Sequence, residues 1–185
     1  MSRVPAVVRD PSTVERLLEI QRFDQIPRTG YLQRGIAPAE NVCAHSWQVA
    51  FLVAELAPQI DGLDLALALR LALLHDLAEL RTGDLPRPVA RHLPEGAKSQ
   101  MEAAVLDALL GRDPVAAHRE SREAQLVKAC DQLQLALKAE SYWRSGWRSV
   151  GDLRARRLSP EVDRFEPVAE IYRQLIALTE ADGAA

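Results

Sequence analysis

Cysteine is nearly missing from this 185-residue chain: there are two, Cys43 and Cys130, far apart in the sequence. Two distant thiols exclude a disulfide-stapled scaffold and point to a reducing, cytoplasmic compartment. Charge of one sign is not in excess either. Lys and Arg number 23 against 26 Asp and Glu, a net charge of -3, which argues against a nucleic-acid surface, because neutralising phosphate backbones takes concentrated cations. The densest basic region, Arg144, Arg148, Arg154, Arg156 and Arg157, is interrupted by acidic residues and a loop and reads as a solvated face. Long apolar runs are absent: Arg70 breaks the most apolar stretch well short of a membrane span, and the N-terminus shows no secretory leader pattern. Nowhere do β-branched residues alternate with period two between hairpin turns, so strands are not expected. Internal repeats and low-complexity tracts are also lacking.

What remains is helical periodicity. It predicts an all-α domain of about six helices spanning residues 1–185, long enough to bury a core without staples. Met1 to Pro11 reads as a loose lead-in, and Ser12 or Thr13 caps an amphipathic helix carrying Val14, Leu17 and Leu18 to about Phe23. Residues Ile26 to Ile36 hold Pro27, Gly30, Gly35, Arg28 and Arg34 and read as a basic loop. Asn41 caps a helix over Val42 to Leu56 that places His45 on the face of Val49, Leu52, Val53 and Leu56. Leu63 to Glu79 reads as a central helix, apolar nearly all round, stopped by Gly83, with Pro86 and Pro88 stiffening the exit. A loop or short helix leads to Lys98, a helix runs from Ser99 to Leu110, and a polar link covers Arg112 to Glu120. Ala124 to Trp143 is a long helix with Leu126, Cys130, Leu133 and Leu137 in its stripe and Asp131 beside it. A last helix, Glu161 to Glu180, and a small-residue tail occupy residues 160–185.

Chemistry concentrates where Leu71 to Pro86 (LALLHDLAELRTGDLP) sets a polar doublet into an apolar helix. An unpartnered buried polar group costs roughly 2–7 kcal/mol, and an unpaired charge far more, so His75 and Asp76 call for a partner. A divalent cation is one. Adjacent helical side chains diverge by about 100° and can close on one ion, while Glu79 falls at i+4 from His75 and i+3 from Asp76 and shares their face. His45 and Asp131 are an inward imidazole and a carboxylate from two other helices. His45, His75, Asp76 and Asp131 together suit Mn, Co, Fe, Zn or Mg, with open positions for water and substrate. Arg28, in its loop, can meet a phosphate bidentately.

These residues stand in segments that resemble the HD-domain metal-dependent phosphohydrolases, named for their His-Asp doublet. The pattern H…HD…D is matched by His45, His75, Asp76 and Asp131. IPRTGYLQRGI over Ile26 to Ile36, ENVCAHS over Glu40 to Ser46, ALLHDLAE over Ala72 to Glu79, TGDLP over Thr82 to Pro86 and LVKACD over Leu126 to Asp131 are similar, in that order, to the 5′-deoxynucleotidase branch. The resemblance covers about residues 14–143 and leaves out the final helix. It implies one divalent metal on those four ligands and a small-molecule substrate, a (deoxy)ribonucleoside 5′-monophosphate hydrolysed to nucleoside and phosphate. It further implies Glu79 and Asp84 assisting the attack, Arg28 gripping the phosphate, and a homodimer. Thr29 stands where some members carry a sugar-sensing Trp, and the nearby aromatic is Tyr31. On the residues' own chemistry Glu79 orients water or handles its proton, and Asp84, which also suits a turn, assists the leaving 5′-oxygen; the two roles are interchangeable. Three alternatives share the ligands. A deoxynucleoside triphosphate triphosphohydrolase needs extra cations, for which Lys128 and Arg34 are the candidates. A dinuclear oxygenase or cyclic-dinucleotide hydrolase needs further histidines, of which His92 and His118 remain. The third is a non-catalytic nucleotide- or metal-binding regulatory module.

Overall fold

The computed structural model describes residues 13–111, 116–155 and 157–183. The lead-in over Met1 to Pro11, the Ser12 cap, the start of the polar link and Arg156 of the basic region lie outside the described residues. Among the described residues there are ten α-helices: α1 Thr13–Gln21, α2 Thr29–Leu32, α3 Val42–Leu56, α4 Leu65–Leu74, α5 Glu79–Thr82, α6 Arg87–Ala90, α7 Ala97–Leu110, α8 Arg122–Arg144, α9 Pro160–Asp163 and α10 Glu166–Gly183. Six of them, α1, α3, α4, α7, α8 and α10, run nine residues or more, the all-α architecture expected. Among the described residues the only extended pairing is an isolated antiparallel bridge between Pro27 and Asn41. No described helix is long and apolar enough to cross a membrane.

Local capping sets the helix starts. The Asn41 side chain accepts Ala44 N–H at 2.7 Å, Asp64 accepts Leu67 N–H at 3.0 Å, and Ser121 accepts Ala124 N–H at 3.1 Å. Each satisfies an N–H that the helix itself leaves open, worth about 1 kcal/mol. The main core joins α3, α4 and α8, with Val49, Val53, Ala68, Ala72, Leu126, Ala129 and Leu133 all shut away from solvent. Alanine at the α4 and α8 contacts lets these helices approach closely, which brings the start of α3, the end of α4 and the middle of α8 together. There His45, the doublet and Asp131 meet.

Five expectations are corrected. The central helix stops at Leu74; residues 75–78 form turns bonded three residues back, Leu77 N–H to Leu74 C=O at 3.1 Å and Glu79 N–H to Asp76 C=O at 2.9 Å. The helix is also apolar without being enclosed, since Leu65 and Leu73 face solvent. Residues 26–36 are not all loop, because Arg28 sits at the N-cap of α2. The final helix is broken at Arg164 and Phe165 into α9 and α10, both packed on α8. The hydrophobic stripe of α1 covers little: Val14, Leu17 and Leu18 are exposed.

Candidate metal centre and phosphate cleft

Ending α4 at Leu74 is what aims the doublet. His75 Nδ1 donates to the Ala72 carbonyl at 2.7 Å, so the ring folds back on its own helix end. Leu77 and Ala78, both buried, pack against Leu106 and Leu109 of α7 and anchor the turn. In a turn of three residues, Asp76 and Glu79 stand one above the other. Gly83 then takes φ +72° and ψ 163°, a region open essentially to glycine alone, and the chain reverses to deliver Asp84.

Four sequence-predicted ligands converge. His45 Nε2 lies 3.1 Å from Asp131 Oδ1 and 3.5 Å from Asp76 Oδ2. His75 Nε2 lies 3.3 Å from Asp76 Oδ2 and 3.4 Å from His45 Nε2. One donor atom each from His45, His75 and Asp131 falls within 4.8 Å of the others, and Asp76 Oδ2 closes a further side. Whether these residues fit a cation follows from their other hydrogen bonds. A carbonyl only accepts, so His75 Nδ1 carries its proton toward Ala72 and a neutral ring presents a bare Nε2. His45 Nδ1 is 2.7 Å from Gln134 Oε1, also an acceptor, so its Nε2 is bare too. Two lone pairs and two carboxylate oxygens thus face one another, an arrangement satisfied by a shared divalent cation and fitting N and O donors.

The electrostatics agree. Burial alone would lower the His75 pKa, yet the charge and hydrogen bond of Asp76, then Asp131 and the Ala72 carbonyl, lift it to about 9. The site draws in positive charge, and a proton supplies it when no metal does. Burial pushes the Asp76 and Asp131 carboxyls up, but the flanking imidazoles, with Arg28 for Asp76, hold both below the usual range. Cys130, by contrast, is buried and its thiol is pushed up to about 12, first by burial and then by Asp131, which makes it a neutral core residue.

Beside the ligands opens a cleft of about 240 Å³. Arg28, Asp76, Glu79, Asp84 and Asp131 line its charged end, and Tyr31, Leu85, Pro86, Pro88, Leu135 and Leu153 its apolar walls. Arg28 Nη1 is 3.4 Å from Asp76 Oδ2 and 4.0 Å from Asp84 Oδ1. Burial would lower the guanidinium pKa, but the surrounding carboxylates of Asp76, Asp84, Asp131 and Glu79 raise it. Glu79 is buried, and burial followed by Asp76 and Asp84 pushes its carboxyl up to about 9; its Oε2 has no hydrogen-bond partner. It enters the cleft holding a proton. Thr29 is not in the cleft wall: its N–H donates to Asp84 Oδ2 at 2.5 Å and its hydroxyl to the Asp84 carbonyl at 3.0 Å, so it positions Asp84.

Other expected residues fall elsewhere. Lys128 lies outside the cleft, 3.5 Å from Glu161. Arg34 lines the cleft but is held by Asp152 at 2.6 Å and by the Gly30 carbonyl at 2.9 Å. His92 and His118 are not in the metal group. Three residues escaped the sequence reading: Lys98, which faces the cleft from the start of α7, and Gln134 and Glu40, behind His45. Gln134 lies one turn past Asp131, the signal that could have found it.

The family model described as HD domain matches residues 20–159. The chain belongs to the HD domain family. It is 32% identical to 5′-deoxynucleotidase VV1113 of Vibrio vulnificus over 159 residues, covering 72% of this chain and 81% of that protein. It is 28% identical to 5′-deoxynucleotidase HDDC2 of Mus musculus over 135 residues, 66% of each chain, so it spans about two thirds of that relative's length. A conserved hypothetical protein from Pyrococcus furiosus has the same fold, with TM-score 0.75, 26% identity, and 88% of this chain and 98% of that one covered.

Proposed function

We propose that this chain is a metal-dependent phosphohydrolase that converts nucleoside 5′-monophosphates, deoxyribonucleosides foremost, to nucleoside and inorganic phosphate. The observation that carries the reading is the convergence of two bare imidazole nitrogens and two carboxylates next to the buried Arg28 guanidinium, at one end of a partly apolar cleft. The relatives named 5′-deoxynucleotidase support it. His45, His75, Asp76 and Asp131 would hold a divalent cation, which would supply charge neutralisation of the phosphoryl oxygens and lower the pKa of a bound water. Arg28 takes two phosphate oxygens as a fork. Glu79, whose carboxyl is pushed up in the metal-free protein by burial and then by Asp76 and Asp84, is the group that would give a proton to the leaving 5′-oxygen, while Asp84, fixed through Thr29 N–H, orients the attacking water. This takes up the exchange of roles that the sequence left open. The proton that Glu79 loses returns from solvent, through the mouth of the cleft, after the nucleoside leaves.

A monophosphate fits the charge inventory. Of the described cations lining the cleft, Arg34 is committed to Asp152 and Lys98 lies 3.3 Å from Glu102, which leaves Arg28 beside the metal position, a charge suited to a phosphate dianion and not to a triphosphate. Deoxynucleoside mono- and triphosphates incubated with the protein and several added metals decide it. Inorganic phosphate from the monophosphate is expected, and faster release of intact triphosphate from the triphosphate overturns it.

We also propose that the protein is a cytoplasmic homodimer, the dimer being what the resemblance to the 5′-deoxynucleotidase branch implies. Near the end of α8, Tyr142 and Trp143 pack in a secondary core, with Trp143 flanked by Arg148 and Arg154 at 4.2 and 4.3 Å, while Trp147 is only marginally exposed. The exposed pair is instead Trp47 and Phe51, stacked at 5.8 Å on α3. Light scattering of Trp47→Glu tests this seam; a wild type of monomer mass, or a variant that stays dimeric, rules it out.

A further inference from the structure

Behind the metal centre, on the side away from the cleft, lies a buried polar chain that the hydrolytic steps do not use. Gln134 is 2% exposed. Its Oε1 is 2.7 Å from His45 Nδ1, and its Nε2 is 2.9 Å from Glu40 Oε1 and 3.0 Å from Gln48 Oε1. Gln48 Nε2 points at the same Glu40 oxygen at 3.3 Å, and Lys138 Nζ lies 3.6 Å from it. Glu40 Oε1 is therefore the acceptor on which Gln134, Gln48 and Lys138 converge. An amide has one donor end and one acceptor end. With its nitrogen drawn to Glu40 and Gln48, Gln134 must present oxygen to His45. That oxygen accepts only, so His45 must carry its proton on Nδ1 and leave Nε2 bare toward the metal position. A reversed amide would leave its NH₂ against His45 and its oxygen against Glu40, with two acceptors buried face to face.

Glu40 is itself immobilised. Its carbonyl accepts Arg28 N–H at 2.8 Å, and its N–H donates to Tyr142 Oη at 2.8 Å. One residue thus holds the backbone of the phosphate-facing arginine and, through its side chain, the direction of the amide that sets a metal ligand.

We infer that Gln134, oriented by the Glu40 carboxylate, is a positioning residue that fixes the Nδ1–H tautomer of His45 and so keeps the metal centre receptive to a cation. The inference rests on the metal reading given above, but it concerns a proton position that exists with or without metal. Outer partners of ligating histidines commonly contribute about 10- to 100-fold in metal affinity.

The test uses cobalt(II) as probe, titrated into metal-stripped protein and followed by its visible absorption, with the nitrogen-15 shifts of His45 read on the same metal-stripped samples under alkaline conditions. Gln134→Leu removes the acceptor and is expected to weaken cobalt binding by about 10- to 100-fold and to let the His45 proton move between nitrogens. Gln134→Glu alone sets a second carboxylate against Glu40 and is expected to bind poorly or fold poorly. Adding Glu40→Gln to it rebuilds the same chain with the charge moved inward: Glu at 134 accepts from His45, and Gln at 40 donates to it. Cobalt affinity and the Nδ1–H signature are expected to return in this double variant, which a merely structural role for Gln134 does not predict. If Gln134→Leu fails to fold, comparison of Gln134→Glu with the double variant still decides the matter. Wild-type affinity in Gln134→Leu, no recovery in the double variant, or a wild-type His45 protonated on Nε2 each overturns the inference. A wild type that shows Nδ1–H yet takes up no cobalt overturns the metal assignment and leaves the tautomer control standing.

Discussion

Replacing Glu79 by Gln removes a transferable proton while keeping the shape of the side chain, and two consequences can be sized in advance. The first is chemical. A positioned general acid contributes about 10²- to 10⁴-fold, which is roughly 3–5 kcal/mol of barrier, so phosphate release should fall by that factor with a full equivalent of metal still bound, because the four ligands are untouched. The second is thermodynamic and has a definite sign. In the folded, metal-free protein the Glu79 carboxyl keeps its proton up to about pH 9 against an ordinary value of 4.5. The unfolded chain releases that proton near 4.5, so below that pH the wild type bears no penalty. Above it, each pH unit withdraws about 1.4 kcal/mol from the wild type until the folded carboxyl also ionises. Glutamine has no proton to release. The variant should therefore match the wild type near pH 4.5 and exceed it by roughly 3 kcal/mol at pH 7, with the gap widening to about pH 9. Urea titration of metal-stripped samples across that range measures the gap, and elemental analysis with a phosphate-release assay measures the chemistry. A variant within tenfold of wild-type turnover, or a stability difference that does not change with pH, refutes the reasoning.

Other perturbations read out other parts of the site. His75→Ala and Asp131→Ala should each lose the bound metal by elemental analysis; a full equivalent retained by either removes that residue from the ligand set. Arg28→Ala should keep its metal and lower kcat/KM for a deoxynucleoside 5′-monophosphate by about 10- to 100-fold, the worth of a charged hydrogen bond, and unchanged kcat/KM in steady-state assays would free the arginine from phosphate binding. Gly83→Ala meets no atom within 4 Å, so its cost is backbone strain alone at φ +72°, about 1–3 kcal/mol. Urea unfolding checks that figure, and an unshifted midpoint contradicts it.

How much of this was readable from the residues depends on how locally each feature is caused. Helix α3 was legible to its ends because Asn41 caps it and the apolar spacing continues to Leu56, both visible in one short segment. The convergence of His45, His75, Asp76 and Asp131 was legible because polar groups on apolar faces demand partners. The end of α4 was not, since the run from Leu71 to Ala78 continues without a breaker, and what closes the helix is a ring bonding back to a carbonyl. Periodicity likewise could not tell that Val14, Leu17 and Leu18 of α1 would face solvent, because an amphipathic stripe does not say what covers it. Of Lys128 and Arg34, the extra cations that a triphosphate reading needs, Lys128 stands near Asp131 in sequence but reaches Glu161 instead, while Lys98, remote in sequence, arrives at the cleft through the packing of α7 on α5. Gln134 has no chemistry of its own to attract notice, and its role exists only once Glu40, Gln48 and His45 are brought around it.

The backbone stitching of the Arg28 segment bears on how this scaffold diverges. Arg28 N–H is bonded to Glu40 C=O, Val42 N–H to Ile26 C=O, and Thr29 N–H to the Asp84 side chain, so the phosphate grip and the reactive carboxylate belong to one rigid frame with the ligands. The cleft is also lined by Gln33, Leu85, Pro88 and Leu153, whose side chains take no part in that stitching. Under the proposed function, hydrolysis and recognition are thereby separable: variation at those four positions would reshape the room offered to base and sugar while leaving in place the machinery that breaks the ester bond.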